Sequence, residues 1–398
     1  MTRQIAMVAG EPSGDLLAGR IIAGCRARES DAVFTGIGGT HMQAQGLESS
    51  HDMNALTVFG YVDALKRIPT LLSIYRQTRD RLLRDRPEVF VGIDAPDFNL
   101  RLERVLRQSG VPTVHFVGPS IWAWRYDRIH KIRESVSHML VLFPFEEEIY
   151  RKEGVPVTYV GHPLAGAIAL EPDRAAARRR LDLDPDARVL AILPGSRSSE
   201  IRILAPMFLQ AAQKLVARDP KLVCIVPMVN AERRAQFEGI LAKYPVPGLR
   251  CIASDSVRPG PSGPSSPVAW TVMEASSAVL VASGTATLEA ALFKRPMVIS
   301  YILSPLMRRI MAWKSGQNRP YLPWIGLPNV LARDFVVPEI LQDDVTPDAL
   351  TEATWRALTD DAHREDVERR FTEIHHALLR DTPALAAQVI MEVAVGRA

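Results

Sequence analysis

The chain has 398 residues, of which 47% are hydrophobic and 23% charged, the balance of a folded globular protein with room for roughly two to three domains. A net charge of +3 and a pI of about 8.8 do not by themselves mark a nucleic-acid binder. No apolar run approaches the ~18 residues needed to cross a bilayer, and the apolar stretch in MTRQIAMVAGEPSG is too short for a signal peptide. Cys25, Cys224 and Cys251 are widely spaced without metal-ligand spacing, as expected of reduced thiols in a cytosolic protein.

Short apolar runs alternate with helical patterns along the chain. QIAMVAG (4–10), VFTGIGG (33–39), EVFVGID (88–94), PTVHFVG (112–118), HMLVLF (138–143) and VPVTYVG (155–161) read as strands. Helical stretches such as LLAGRIIAGCRA and LLSIYRQTRDRLL lie between them. Runs this continuous imply strands covered on both faces, hence a parallel sheet with crossover helices. The pattern restarts with RVLAILPGS (188–196), KLVCIVPMV (221–229), LRCIAS (249–254), AVLVASG (278–284) and PMVISY (296–301). The charged, proline-bracketed LEPDRAAARRRLDLDPDAR (170–188) lies between the series. These patterns predict an α/β chain with a Rossmann-like domain over 1–168, a second over 169–360 and a helical tail over 361–398. RPGPSGPSSPVAW (258–270) reads as an exposed insertion.

Several stretches carry chemistry. VFVGIDAPDFN ends a buried strand in Asp94 and Asp97, followed by Asn99. One carboxylate there is placed to accept a hydroxyl proton while the other, or Asn99, orients the group; Asp97 also suits a helix N-cap. His115, Trp122, Trp124 and Arg125 follow the next strand and are candidates for the same mouth, although a Trp pair is more often packing. The turns GEPSGD (10–15) and PGSRSSE (194–200) lie between strand and helix, where backbone N–H groups favour an anion. Ser196 and Arg197 in the second suit a diphosphate. SGTATLEAAL (283–292) repeats the arrangement: Gly284, Thr285 and Ala286 offer N–H groups to phosphate, and Glu289, one turn on, offers a carboxylate to ribose hydroxyls. The competing reading is that Thr285 and Glu289 only solvate the helix end. No DxD, HExxH or Cys/His set points to a metal, and no cofactor is expected.

From Lys66 to Arg86, basic residues (Lys66, Arg67, Arg76, Arg79, Arg81, Arg84) interleave with Ile68, Leu71, Leu72 and Ile74. The segment suits an anionic membrane surface or a packed helix with a solvated basic face. Basic residues recur at Arg125, Arg128, Lys131 and Arg133, without the aromatic interleaving of a nucleic-acid module.

Taken in order, AGEPSGD (9–15), GIGGTHMQAQGL (36–47), VFGYVDAL (58–65), VGIDAPDFN (91–99), PSIWAWR (119–125), PFEEEIY (144–150), VGHPLA (160–165), LPGSR (193–197), VPMVN (226–230), SGTATLE (283–289) and LPNVLA (327–332) resemble the lipid-A-disaccharide synthase family across nearly the whole chain. Members usually carry AGEASGD; here Pro12 replaces the alanine. Residues 258–270 and 312–326 also depart from the family pattern, on the donor side.

The resemblance implies a GT-B architecture, two Rossmann-like doubly wound domains facing a cleft, with C-terminal helices packing back or exchanged in a homodimer. It implies metal-free, inverting transfer of 2,3-diacylglucosamine from UDP-2,3-diacylglucosamine to 2,3-diacylglucosamine 1-phosphate, giving a β-1,6-linked disaccharide 1-phosphate and UDP. It places the enzyme at the cytoplasmic face of the inner membrane. It makes Asp97 the general base with Asp94 and Asn99 beside it, Arg197 the diphosphate ligand, Glu289 the ribose ligand, and Asn329 a neighbour of the donor. Glu11 and Ser13 would face the sugar, and Lys66, Arg67, Ile68, Leu71 and Leu72 the membrane or acceptor. A UDP-N-acetylglucosamine 2-epimerase-like enzyme and a non-catalytic lipid carrier are the alternatives.

Overall fold

The computed structural model describes residues 3–56, 61–123, 126–258, 267–303 and 322–396, with the backbone alone over 61–68. The chain divides into two compact units, Met1–Gly166 with Leu378–Ala398, and Ala167–Ala377.

In unit 1 the strands are β1 (Gln4–Ala9), β2 (Val33–Ile37), β3 (Leu47–Ser49), β4 (Val89–Ile93), β5 (Thr113–Phe116), β6 (His138–Val141) and β7 (Val157–Tyr159). Its helices are α1 (Pro12–Arg28), α2 (Thr40–Ala44), α3 (Tyr61–Asp85), α4 (Pro96–Gln108), α5 (Ile129–Ser135), α6 (Pro144–Lys152) and, at the boundary, α7 (Pro163–Ala167). The sheet order is β3-β2-β1-β4-β5-β6-β7, and every pair is parallel. Such a sheet is covered on both faces, so β1 and β4 are nearly all apolar and buried.

Unit 2 contains α8 (Arg174–Arg180), β8 (Val189–Leu193), α9 (Ser198–Arg218), β9 (Val223–Pro227), α10 (Ala231–Leu241), β10 (Arg250–Ile252), α11 (Val268–Ala275), β11 (Ala278–Ala282), α12 (Thr285–Leu292) and β12 (Met297–Tyr301). It continues through α13 (Leu327–Ala332), β13 (Glu339–Leu341), α14 (Pro347–Thr359) and α15 (Asp361–Leu378), in sheet order β10-β9-β8-β11-β12-β13, again all parallel. Each unit is doubly wound. The strand order reverses between β1 and β4 in unit 1, and between β8 and β11 in unit 2. Ligands of such sheets bind at the carboxyl ends of the strands flanking the reversal.

The segment expected as a helical tail is shared between the units. α15 belongs to unit 2 up to Ala377, and α16 (Thr382–Ala394) belongs to unit 1. There Ala386, Ala387 and Ile390 are fully buried in the core built on Ile5, Met7 and Phe90. A Cβ on Gly24 of α1 would lie 3.1 Å from Ala387 Cβ, so the glycine lets the two helices approach closely. The tail thus packs back onto its own chain. Among the described residues no helix is long and apolar enough to cross a membrane.

Candidate active site

The unit 1 site grows from the turns that follow β1 and β4. Register pairs Ala9 with Ile93, so the two turns leave the sheet side by side. A Cβ on Gly10 would meet Ala95 Cβ at 2.8 Å, so only glycine lets the turns touch here. Asp94 and Ala95 both adopt left-handed backbone, with φ of 52° and 44°. For non-glycine residues this costs about 1–3 kcal/mol each and persists only where the surroundings enforce it. Two bonds enforce it: the Asp94 carboxylate accepts the Ala95 N–H at 2.8 Å, and Asn99 Nδ2 donates to the Asp94 carbonyl at 2.8 Å.

The three residues read together from the sequence therefore occupy different places. Asp97, in the first turn of α4, has a side chain 87% exposed and, among the described residues, is held by Arg128 Nη2 alone, at 3.1 Å. Asp94 is half-buried and engaged with its own turn. Asn99 is wholly buried, and its amide also reaches the carbonyls of Val8 and Ile93, both at 3.3 Å. It ties the turn to two strand ends and does not reach solvent. His115 is not at the mouth either. It is fully buried, with Nδ1 2.8 Å from Glu103 Oε1. Burial raises the Glu103 carboxyl, and the charge of His115 acts against that rise. Among the described residues Asn99 Oδ1, Glu103 Oε2 and His115 Nε2 are buried without a hydrogen-bond partner, which makes a polar cluster beneath the strained turn.

Glu11 and Ser13 are exposed at the start of α1, next to that turn. Two residues later, Asp15 is buried and accepts the N–H groups of Gly39, His41 and Met42 at 2.8, 3.0 and 3.0 Å, capping α2. Trp122 is buried and donates to Glu146 Oε1 at 3.2 Å, which makes it packing; Trp124 and Arg125 lie outside the described residues.

In unit 2 the turns after β8 and β11 meet the turn after β9 around a cavity of about 510 Å³. Ser196, Arg197, Gly284, Thr285 and Glu289 all line it, so the structure gathers residues that are up to 93 positions apart (289 − 196). The two helix starts differ. At α9 the Glu200 carboxylate already accepts the N–H groups of Ser196 and Arg197, at 3.1 and 3.2 Å, and touches Arg197 Nη1 at 3.3 Å. The anion expected at that turn is thus supplied by the protein itself. At α12, Gly284 is the N-cap with φ 156°, its Cβ position open, and no side chain caps the helix. Gly284 and Thr285 are exposed toward the cavity. Burial raises the Glu289 carboxyl; the Trp270 indole, otherwise without a hydrogen-bond partner, works against the rise.

Asn329 is not at this cavity. It is fully buried: Nδ2 donates to the Val337 carbonyl and to Glu339 Oε1, both at 2.8 Å, and Oδ1 accepts the Val337 N–H at 3.1 Å. Its polar atoms are consumed in fixing the chain before β13. For the expected membrane or acceptor surface, the side chains of Lys66, Arg67 and Ile68 lie outside the described residues. Leu71 is half-buried and Leu72 is 44% exposed, but Ile74 and Leu82 turn into the core and Tyr75 packs edge-on against Phe98.

Two doubly wound parallel units are the architecture of the GT-B class. The same architecture occurs in a UDP-N-acetylglucosamine 2-epimerase, described as putative, from Listeria monocytogenes (TM-score 0.61, 9% identity, 100% of this chain and 98% of that one). It occurs also in the calicheamicin glycosyltransferase CalG4 (TM-score 0.55, 15% identity, 100% and 99%). Identities this low speak for the fold alone. The chain belongs to the lipid-A-disaccharide synthetase family, whose model matches residues 5–390, and is therefore a glycosyltransferase. It is 72% identical over 396 residues to the lipid-A-disaccharide synthase of Bordetella avium (strain 197N), with 100% of both chains covered.

Proposed function

We propose that this chain transfers 2,3-diacylglucosamine from UDP-2,3-diacylglucosamine to the 6-hydroxyl of 2,3-diacylglucosamine 1-phosphate, with inversion. The observation that carries the donor half is the cavity of unit 2: an open helix N-terminus at Gly284–Ala286, Arg197 beside it, and Glu289 one turn along the same helix. The α12 N–H groups and Arg197 would stabilise the negative charge that gathers on the departing diphosphate. Glu289 would accept the ribose hydroxyls. In the acceptor half Asp97 is the base. It alone of the three candidates is exposed and not engaged with its own turn, whereas Asp94 and Asn99 hold the turn that presents it. The hydroxyl oxygen attacks the anomeric carbon, its proton passes to Asp97, and the bond to UDP breaks with its electron pair leaving on phosphate.

We place the protein at the cytoplasmic face of the inner membrane, with exposed Leu72 and the basic residues of α3 toward anionic lipid, and we read it as a homodimer from the family resemblance. Sedimentation with anionic vesicles at low and high salt tests the first, and analytical ultracentrifugation the second.

The deciding experiment incubates purified protein with both lipids in detergent and follows UDP and disaccharide by mass spectrometry. Disaccharide formed in step with UDP supports the transfer. UDP without disaccharide refutes it in favour of hydrolysis or epimerase-like chemistry, and vesicle binding without turnover marks a lipid carrier.

A further inference from the structure

Beside Asp97 a groove of about 300 Å³ runs between α4 and α5, lined by Arg101, Arg104, Arg128, Lys131 and Ser135. Among the described residues that line it, four are cations and one, Asp97, is a carboxylate. Asp97 and Arg128 meet where both helices begin, and at the far end Arg104 pairs with Glu134 at 2.7 Å. Between these ends Arg101 and Lys131 are both exposed, and among the described residues neither forms an ion pair. Cations that line one groove without a partner give it a positive potential, which favours an anion.

We propose that this groove binds the anomeric phosphate of the acceptor and is what tells acceptor from donor. The inference rests on the transfer reading above. Both substrates of that reaction carry the same diacylated sugar. They differ in that the acceptor ends in a phosphate monoester, with a charge of about −1.5 to −2 at neutral pH, and the donor in a nucleotide. A site that reads the sugar alone cannot separate them, whereas one that reads the monoester can. The spacing fits. At about 1.5 Å rise per residue, Arg101 lies roughly 6 Å and Arg104 roughly 10 Å along α4 from Asp97. In a hexose the ring oxygen joins the carbon bearing the phosphate to the carbon bearing the 6-hydroxymethyl group, so the 6-hydroxyl and the anomeric phosphate lie roughly one helical turn, about 5 Å, apart. With the hydroxyl at Asp97, the phosphate falls beside Arg101 and Lys131. Arg128 has a second part. Its contact with Asp97 is a surface pair and is weak, so an arriving phosphate draws the guanidinium away and leaves Asp97 free to take the proton.

The test is the double variant Arg101→Ala, Lys131→Ala, two exposed side chains whose removal leaves the core intact. Rates are measured in phospholipid-free detergent micelles, each substrate varied with the other saturating. The acceptor KM is expected to rise at least 10-fold with the donor KM unchanged, and an Arg101→Lys, Lys131→Arg variant is expected to recover most of the loss. Inhibition by the dephosphorylated acceptor is expected to be nearly the same in the double variant and the wild type, because the missing phosphate is what the groove reads. An unchanged acceptor KM, or an equal loss of affinity for phosphorylated and dephosphorylated lipid, would overturn the proposal. An effect seen only with anionic vesicles would overturn it too and assign the groove to membrane headgroups. A wild-type enzyme that forms no disaccharide would instead bring down the transfer reading itself.

Discussion

Asn99→Ala tests whether a buried amide, rather than a reacting group, maintains the acceptor turn. The Asn99 amide nitrogen has two hydrogens and faces three carbonyls, at 2.8 Å on Asp94 and 3.3 Å on Val8 and Ile93, so it makes one good bond and shares the other. Each such bond contributes about 0.5–1.5 kcal/mol net, and buried carbonyls left with fewer donors add to the cost, which brings the loss to about 2–3 kcal/mol. For a unit of this size a kcal/mol moves the melting point by about 2–4 °C, so a fall of roughly 4–12 °C is expected. The left-handed Asp94–Ala95 pair then loses one of its two restraints, and kcat is expected to fall at least 10-fold as Asp97 is misplaced. UDP affinity, a property of unit 2, is expected to stay unchanged. Calorimetry on the intact chain, the disaccharide turnover assay and UDP titration read all three. Asn99→Asp keeps the shape but removes both N–H donors, so it should be at least as unstable as the alanine variant. A wild-type melting point in either variant would sink the hydrogen-bond account. Wild-type kcat in a destabilised Asn99→Ala enzyme would sever the link from turn to catalysis.

Asp97→Ala should lower kcat by about 10²–10⁴ with the melting point unchanged, since its side chain is exposed; near-normal turnover would remove it as the base. Glu289→Ala should raise the donor KM by roughly 10- to 100-fold, the cost of losing hydrogen bonds to a charged acceptor, and leave the acceptor KM alone; equal effects on both would refute the ribose role. Burial pushes the Glu146 carboxyl from 4.5 to about 8, against the N–H groups of Phe143 and Trp122. The folded chain therefore keeps a proton there that the unfolded chain has released. This contribution to stability is full below about pH 4.5 and is lost as pH rises through 8. Glu146→Gln should flatten the decline in melting point across that window, and equally steep profiles for variant and wild type would show that Glu146 is not its cause.

The long buried strands could be read directly, because a parallel strand covered on both faces shows as an unbroken apolar run. β3 and β13 could not: their three residues, LES and EIL, each include a glutamate, whereas the equally short edge strands β7 and β10 sit within the apolar runs VPVTYVG and LRCIAS. Among site residues, position after a strand was legible and side-chain direction was not. Asn99 and Asn329 lie beside plausible chemistry in the sequence, yet both are turned inward to bind backbone groups that no local pattern announces. The Glu103–His115 pair joins a helix to a strand, and such a partnership becomes visible only when the two are packed. Glu200 carried a usable signal. It stands three residues after the N-cap Arg197, the position from which a carboxylate folds back on a helix start.

The two units share the order of their first six strands, and the proposed sites fall at the same point of it, so on that reading what divides the chemistry between them is the residues of the turns. In unit 1 the helix after β1 opens with Glu11 and Pro12. Proline has no N–H to offer, and Glu11 sets a carboxylate where a phosphate would otherwise gather. With Asp94 and Asp97 on the adjacent turn, that end of the sheet gathers three carboxylates, which disfavour a diphosphate there. In unit 2 the helix after β11 opens with glycine, threonine and alanine, none of which shields the backbone, and so its N–H groups remain available. The helix after β8 is quenched by Glu200, so of the two helix starts at this cavity the one without a side-chain cap is α12, where the proposed reading puts the diphosphate. On the proposed reading, unit 1 presents a proton acceptor at its turn with a cationic groove beside it, unit 2 presents a diphosphate site at its turn, and the exchange of a few turn residues is enough to set the difference.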